Sequence, residues 1–134
     1  MSPGNIDVTD APATVDHRQC RRVAPILARV GDKWSILIIM TLTGGTRRFS
    51  ELRRMIDGIS QRMLTHSLRG LERDGMISRE VHPTIPPRVD YALTDLGRSL
   101  CVPVVALGEW VQDHLDEIDA ARAAYDAARD WDMG

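Results

Sequence analysis

Residues Phe49 to Gly75, FSELRRMIDGISQRMLTHSLRGLERDG, decide the fold. They read as a short helix, a tight turn and a longer helix. Leu52 and Ile56 recur at helical spacing in the first piece, Gly58 interrupts, and Ile59 and Ser60 introduce the second. In the second helix Leu64, Leu68 and Leu71 fall on one stripe, with Gly75 just beyond the end as a C-terminal cap. The opposite side carries Gln61, Arg62, Thr65, His66 and Arg69. An aliphatic back and an Arg/Gln/Thr front suit a helix that reads base edges in a major groove. A merely solvated helix face has the same appearance, so the flanking sequence must decide.

Downstream, Met76 to His82 alternates, with Ile77, Arg79 and Val81 on one face. Arg88 to Leu93 alternates likewise, grouping Val89, Tyr91 and Leu93. Between them Pro83-Thr84-Ile85-Pro86-Pro87 makes a stiff tip that cannot join a ladder. A two-stranded hairpin is marginal alone and must lie against the helices. Placed directly after a helix-turn-helix, it is a wing. Thr94 then reads as an N-cap for a long helix from Asp95 towards Leu115 or beyond, which Pro103 is expected to kink or restart. Leu96, Leu100, Val104, Leu107, Val111 and Leu115 form a seam at spacings of three and four. Residues 119–134, mostly Ala, Asp and Arg, cannot cover that seam, which points to a second copy of the chain. Ala120–Trp131 has the propensity for one short C-terminal helix, within an acidic, Ala-rich tail.

Upstream, residues 1–16 lack periodicity and are rich in Pro, Asp, Thr and Gly, as a flexible arm is. His17 to Val30 is the first expected helix, with Val23, Ile26, Leu27 and Val30 on its apolar side. Pro25 is expected to divide it, or to make it begin near Ala24. Asp32 is a plausible N-cap for Lys33 to about Leu42, KWSILIIMTL, which is apolar nearly all round and so belongs at the centre. Gly44-Gly45 ends it. Thr46-Arg47-Arg48 leads into Phe49, with Ser50 a candidate N-cap for a helix over Glu51–Asp57.

The 134 residues suit one domain: an ordinary globular composition, residues 17–118 forming the domain and its dimerisation helices. No apolar run is long enough to span a membrane. The N-terminus lacks the basic region and apolar core of a secretory signal, so a cytoplasmic location is expected. The net charge of −2 conceals a division. Residues 47–98 carry +3 and residues 99–134 carry −6, so the acidic tail masks a positive middle. Lys33 is the single lysine among seventeen basic residues. Arginine binds phosphates and guanine edges in a bidentate way that lysine cannot, although GC-rich coding yields the same bias.

Taken together, several motifs resemble the HxlR-type winged helix-turn-helix transcriptional regulators, relatives of the MarR group. They are Gly31-Asp32-Lys33-Trp34, Arg48-Phe49-Ser50-Glu51-Leu52, and Gly58-Ile59-Ser60 with Leu64, Leu68, Leu71 and Gly75. Further along stand Pro86-Pro87-Arg88-Val89-Asp90-Tyr91, Leu93-Thr94 with Gly97, and Leu100 with Pro103, Leu107 and Trp110. The resemblance covers roughly Cys20 to Trp110. It implies a mostly α fold with a small β-hairpin wing, acting as a homodimer through its N- and C-terminal helices and binding double-stranded DNA. The family often has a Cys-Pro pair ahead of the first helix, whose cysteine in some members senses oxidants. Here Cys20 is followed by Arg21.

The site residues expected on this reading fall into groups. Gln61, Arg62, Thr65, His66 and Arg69 face base edges. Arg47, Arg48, Ser60 and Arg88 hold phosphates, with pairing of Arg88 to Asp90 or Glu80 as the alternative. Val23, Leu27, Leu100, Val104, Leu107, Val111 and Leu115 form the dimer interface. Cys20, flanked by Arg18, Arg21 and Arg22, is the candidate redox residue, against a surface cysteine with no role. Trp34 and Trp110 are candidates to wall an effector pocket, against simple core packing. His17, His66, His82 and His114 show no ligand spacing, so neither metal nor cofactor is expected. With no nucleophile elbow, phosphate loop or HExxH pattern, an enzyme is not expected. The competing class is a winged helix used for protein or RNA contacts without operator specificity.

Overall fold

The computed structural model describes residues 17–133. The expected N-terminal arm, residues 1–16, lies outside them. The elements in order are α1 (His17–Val30), α2 (Lys33–Leu42), β1 (Arg47–Arg48), α3 (Phe49–Met55), α4 (Gln61–Arg73), β2 (Ile77–His82), β3 (Arg88–Leu93) and α5 (Asp95–Met133). They divide into two compact units, one ending at Arg98 and the other beginning at Ser99.

In the first unit α2 is the hub, as its all-round apolar sequence requires. Ile38, Ile39 and Leu42 are fully buried with Leu52 of α3 and Leu64, Leu68 and Leu71 of α4. Ile77, Tyr91 and Leu93 close the core from the sheet. Each fully buried aliphatic side chain contributes about 1.5–3 kcal/mol. Most helix ends are capped by side chains or turns. Asp32 Oδ2 accepts from the backbone N–H groups of Trp34 and Ser35, both at 3.1 Å. Ser60 Oγ accepts from the Met63 N–H at 3.1 Å, fixing the start of α4. At its other end Gly75 N–H donates to Glu72 O at 3.0 Å and Met76 N–H to Leu71 O at 2.9 Å. That pairing needs a left-handed residue at Gly75, whose φ is 80°.

Four local expectations are corrected. Pro25 lies inside a continuous α1, and α5 runs on through Pro103 with no fresh start there. A proline removes one intrahelical hydrogen bond, a loss of about 3 kcal/mol that need not end a helix extended on both sides. Residues 120–131 continue α5 rather than forming a separate helix. The first helix of the pair begins at Phe49, with Arg48 rather than Ser50 at the cap position and the Arg48 N–H donating to Glu51 Oε1 at 2.8 Å.

The wing has a third strand. The sheet order is β1-β3-β2, with Arg47 opposite Tyr91 and Arg48 opposite Asp90. Two residues are too short to show alternation, so sequence periodicity could not reveal β1. Within the hairpin Ile77 pairs with Leu93, Arg79 with Tyr91, and Val81 with Val89, the face expected from the alternation. Pairing stops at His82–Arg88, leaving the proline-rich tip outside the ladder. Thr94 ties this assembly together. Its N–H donates to Met76 O at 3.1 Å, and its Oγ1 donates to Gly75 O at 2.6 Å while accepting from the Gly97 N–H at 3.0 Å.

Candidate nucleic-acid interface

On α4 the two faces separate by burial. Leu64, Ser67, Leu68, Gly70 and Leu71 are buried, whereas Gln61, Arg62, His66 and Arg69 are exposed and Thr65 is half-buried. Gln61, Arg62, Thr65, His66 and Arg69 line one shallow surface depression. The predicted base-reading set is therefore one contiguous patch, held by a capped helix on a packed back. Such a patch offers guanidinium and amide donors together with a hydroxyl and an imidazole, the groups that pair with base edges.

The predicted phosphate set is split between α4 and the sheet. Ser60 sits at the N-cap of α4, where its Oγ already accepts from Met63. Arg47 and Arg48 are held in β1 beside β3, and Arg88 opens β3. The polar face of the wing gathers charges that sequence spacing only partly suggested. Arg88 Nε lies 3.3 Å from Asp90 Oδ1, and His82 Nε2 lies 3.0 Å from Asp90 Oδ2 and 3.6 Å from Glu80 Oε1. Arg88 Nε is close enough to Asp90 for ionic attraction but is not aligned as a hydrogen bond, and like Arg47 Nε it is shielded from solvent. The pairing of Arg88 with Asp90, expected as the alternative to a phosphate contact, is therefore present. Arg53 and Arg54 at the end of α3 are also exposed and add to the positive surface, which the motif reading had not singled out.

The remaining candidates fall as follows. Cys20 is exposed on α1 and Cys101 is partly covered. Val23 and Leu27 of α1 are exposed, as are Leu107, Val111 and Leu115 of α5, while Leu100 and Val104 are half-covered. Trp34 borders a groove of about 620 Å³ with Pro25, Arg29, Arg62 and His66. Trp110 belongs to the second unit, where its ring stacks on His114 at 4.3 Å. Among the described residues no helix is long and apolar enough to cross a membrane, and no group of three metal-ligating side chains converges.

A capped helix pair followed by a β-hairpin, to which β1 adds a third strand, defines a winged helix-turn-helix protein. A family model described as HxlR-like helix-turn-helix matches residues 29–119, and the chain belongs to that family. It is 44% identical over 97 residues to the HTH-type transcriptional regulator YtfH of Escherichia coli K12, covering 72% of this chain and 77% of the relative. A solved structure of the YtfH regulator from Salmonella typhimurium has 40% identity and a TM-score of 0.69, over 75% of this chain and 90% of the other. The redox regulator HypR in its reduced form has 39% identity and a TM-score of 0.67, over 74% and 98%. The chain is thus a helix-turn-helix transcriptional regulator of a DNA-binding family, not an enzyme.

Proposed function

We propose that the chain is a homodimeric repressor that binds an imperfect palindrome. The observation that carries this reading is the exposed patch on α4, Gln61, Arg62, Thr65, His66 and Arg69, set on a buried aliphatic stripe. Two such helices, related by a two-fold axis, meet half-sites about one helical turn, ~34 Å, apart. Arg47, Arg48, Ser60 and Arg88 hold phosphates and set the register, while the α4 patch reads bases. The apolar residues left open on α1 and α5 supply the dimer contact. A duplex covered in this way is closed to competing proteins, which makes repression the natural output.

Two inputs are compatible with this reading. The exposed Cys20 stands among Arg18, Arg21 and Arg22 in the sequence, and the similarity to HypR, a redox regulator, supports oxidation as a signal. The groove beside Trp34 offers a small effector a seat against Arg62 and His66, where it competes with DNA for the same side chains. The decisive experiment is selection of genomic fragments by the purified protein, followed by footprinting. Recovery of a palindromic site whose binding weakens steeply with salt is the expected result. Sequence-indifferent or salt-insensitive binding would favour a protein- or RNA-contact module instead.

A further inference from the structure

The tip of the wing carries a feature that the base-reading patch does not use. Ile85 stands fully exposed there, between Pro83-Thr84 and Pro86-Pro87. The prolines fix φ at three positions, and each residue that precedes one is restricted in turn. Thr84 tightens the tip further, its N–H donating to His82 O at 2.8 Å and its Oγ1 to Pro86 O at 2.8 Å. Little conformational entropy remains to be lost when such a tip docks. One exposed isoleucine on an ordinary surface signifies nothing. This one crowns a preordered projection.

The base of the projection says what the tip meets. A cleft of about 500 Å³ is lined by Arg48, Phe49 and Ser50 at the start of α3 and by Pro86, Pro87 and Arg88 of the wing, and Ile85 itself borders it. Two guanidinium groups and a hydroxyl suit phosphate oxygens, and the proline and phenylalanine rings suit deoxyribose carbons. That combination fits one sugar–phosphate unit of a DNA strand. The tip itself, residues 83–87, carries no charge, so it adds no attraction for phosphate. What it offers beyond the gripped backbone is shape and apolar surface.

We propose that Ile85 is an apolar wedge, entering the minor groove beside the strand held between Arg48 and Arg88 and deforming the operator there. The inference rests on the reading of the chain as an operator-binding protein. Apolar side chains inserted at base steps unstack them and bend the duplex, most cheaply at pyrimidine–purine steps. The operator therefore carries a TA or CA/TG step where the wing reaches, at a position that no hydrogen bond reads.

The test uses the full chain and the duplex selected from genomic fragments. Affinity, its salt dependence, and the bend, read by energy transfer between dyes on the duplex ends, are compared for wild type, I85A, I85S and R88A. The two Ile85 variants should unfold at the wild-type midpoint, because an exposed side chain is lost. They should bind about tenfold more weakly and bend the duplex less, at an unchanged salt slope. R88A should lower the salt slope by about one and retain the bend. I85S protein that binds and bends the duplex as wild type does would overturn the wedge while leaving operator binding intact. A wild-type protein that selects no duplex sequence would bring down both readings.

Discussion

Arg29 Nε lies 2.9 Å from Asp74 Oδ2, so the end of α1 is joined to the C-cap of α4. The guanidinium reaches Asp74 by lying across Gly70, where a Cβ would overlap it. Glycine inside a helix normally costs about 1 kcal/mol against alanine, so its presence in α4 has a packing cause. It leaves the slot through which Arg29 passes.

This arrangement predicts a sign reversal. In the wild-type background G70A should give no gain in stability, because the new methyl displaces Arg29 and removes the ion pair. In an R29A background the same change should stabilise by about 0.5–1 kcal/mol, the ordinary propensity difference. Both ends of the pair are only partly buried, so R29A and D74A singly should cost about 1 kcal/mol or less, with a coupling of similar size. Urea unfolding midpoints decide it. Equal gains from G70A in both backgrounds would show that Gly70 is not there for Arg29.

The α4 patch and the wing arginines should separate in their binding signatures. On the proposed reading Arg62→Ala removes a base contact, and the discrimination between operator and mismatched duplex should fall by roughly 1–3 kcal/mol. Arg48→Ala on the same reading removes a phosphate contact, and the loss should be uniform across sequences with a shallower salt slope. Titrations of operator and scrambled duplex at several salt concentrations distinguish the two. If R62A kept full operator preference, the base-reading assignment would have to move elsewhere on α4.

For Cys20 the expected outcome is loss of operator binding on treatment with diamide or peroxide, restored by dithiothreitol. C20S should bind the operator as the reduced protein does and ignore the oxidant. Cys101, partly covered on α5, is the internal control, since C101S should leave the oxidant response in place. A C20S protein that still released DNA on oxidation would transfer the switch away from α1.

The parts of this fold that could be read from sequence are those with long-range periodicity or a cap. The α4 stripe, the Asp32 and Thr94 caps, Gly75 and the alternation of the hairpin strands each leave a signal of several residues in a fixed pattern. What could not be read depends on pairing between distant residues. The strand Arg47–Arg48 exists only because β3 accepts it, and Arg29 is meaningful only beside Gly70 and Asp74. The prolines misled in the same way. Pro25 and Pro103 are local helix breakers by propensity, and each is carried inside a longer helix.

The junction of α4, β2 and α5 predicts where substitution should cost most. A Cβ on Gly97 would overlap the Met76 carbonyl and stand 3.1 Å from Leu93 Cδ2, leaving it no room. The obstacle is backbone rather than a flexible side chain, so relief requires the start of α5 at Gly97 to move away from Met76. G97A should therefore cost about 2 kcal/mol or more. T94A, which removes the hydroxyl that accepts from Gly97 and donates to the Gly75 carbonyl, should cost about 1 kcal/mol. The double variant should cost less than the sum, because a start of α5 displaced by G97A no longer offers the Thr94 bond. Operator affinity should fall with G97A even at temperatures where the protein remains folded, since the wing is held against α4 through this junction. A G97A protein with wild-type stability and affinity would show that α5 can shift without disturbing the wing.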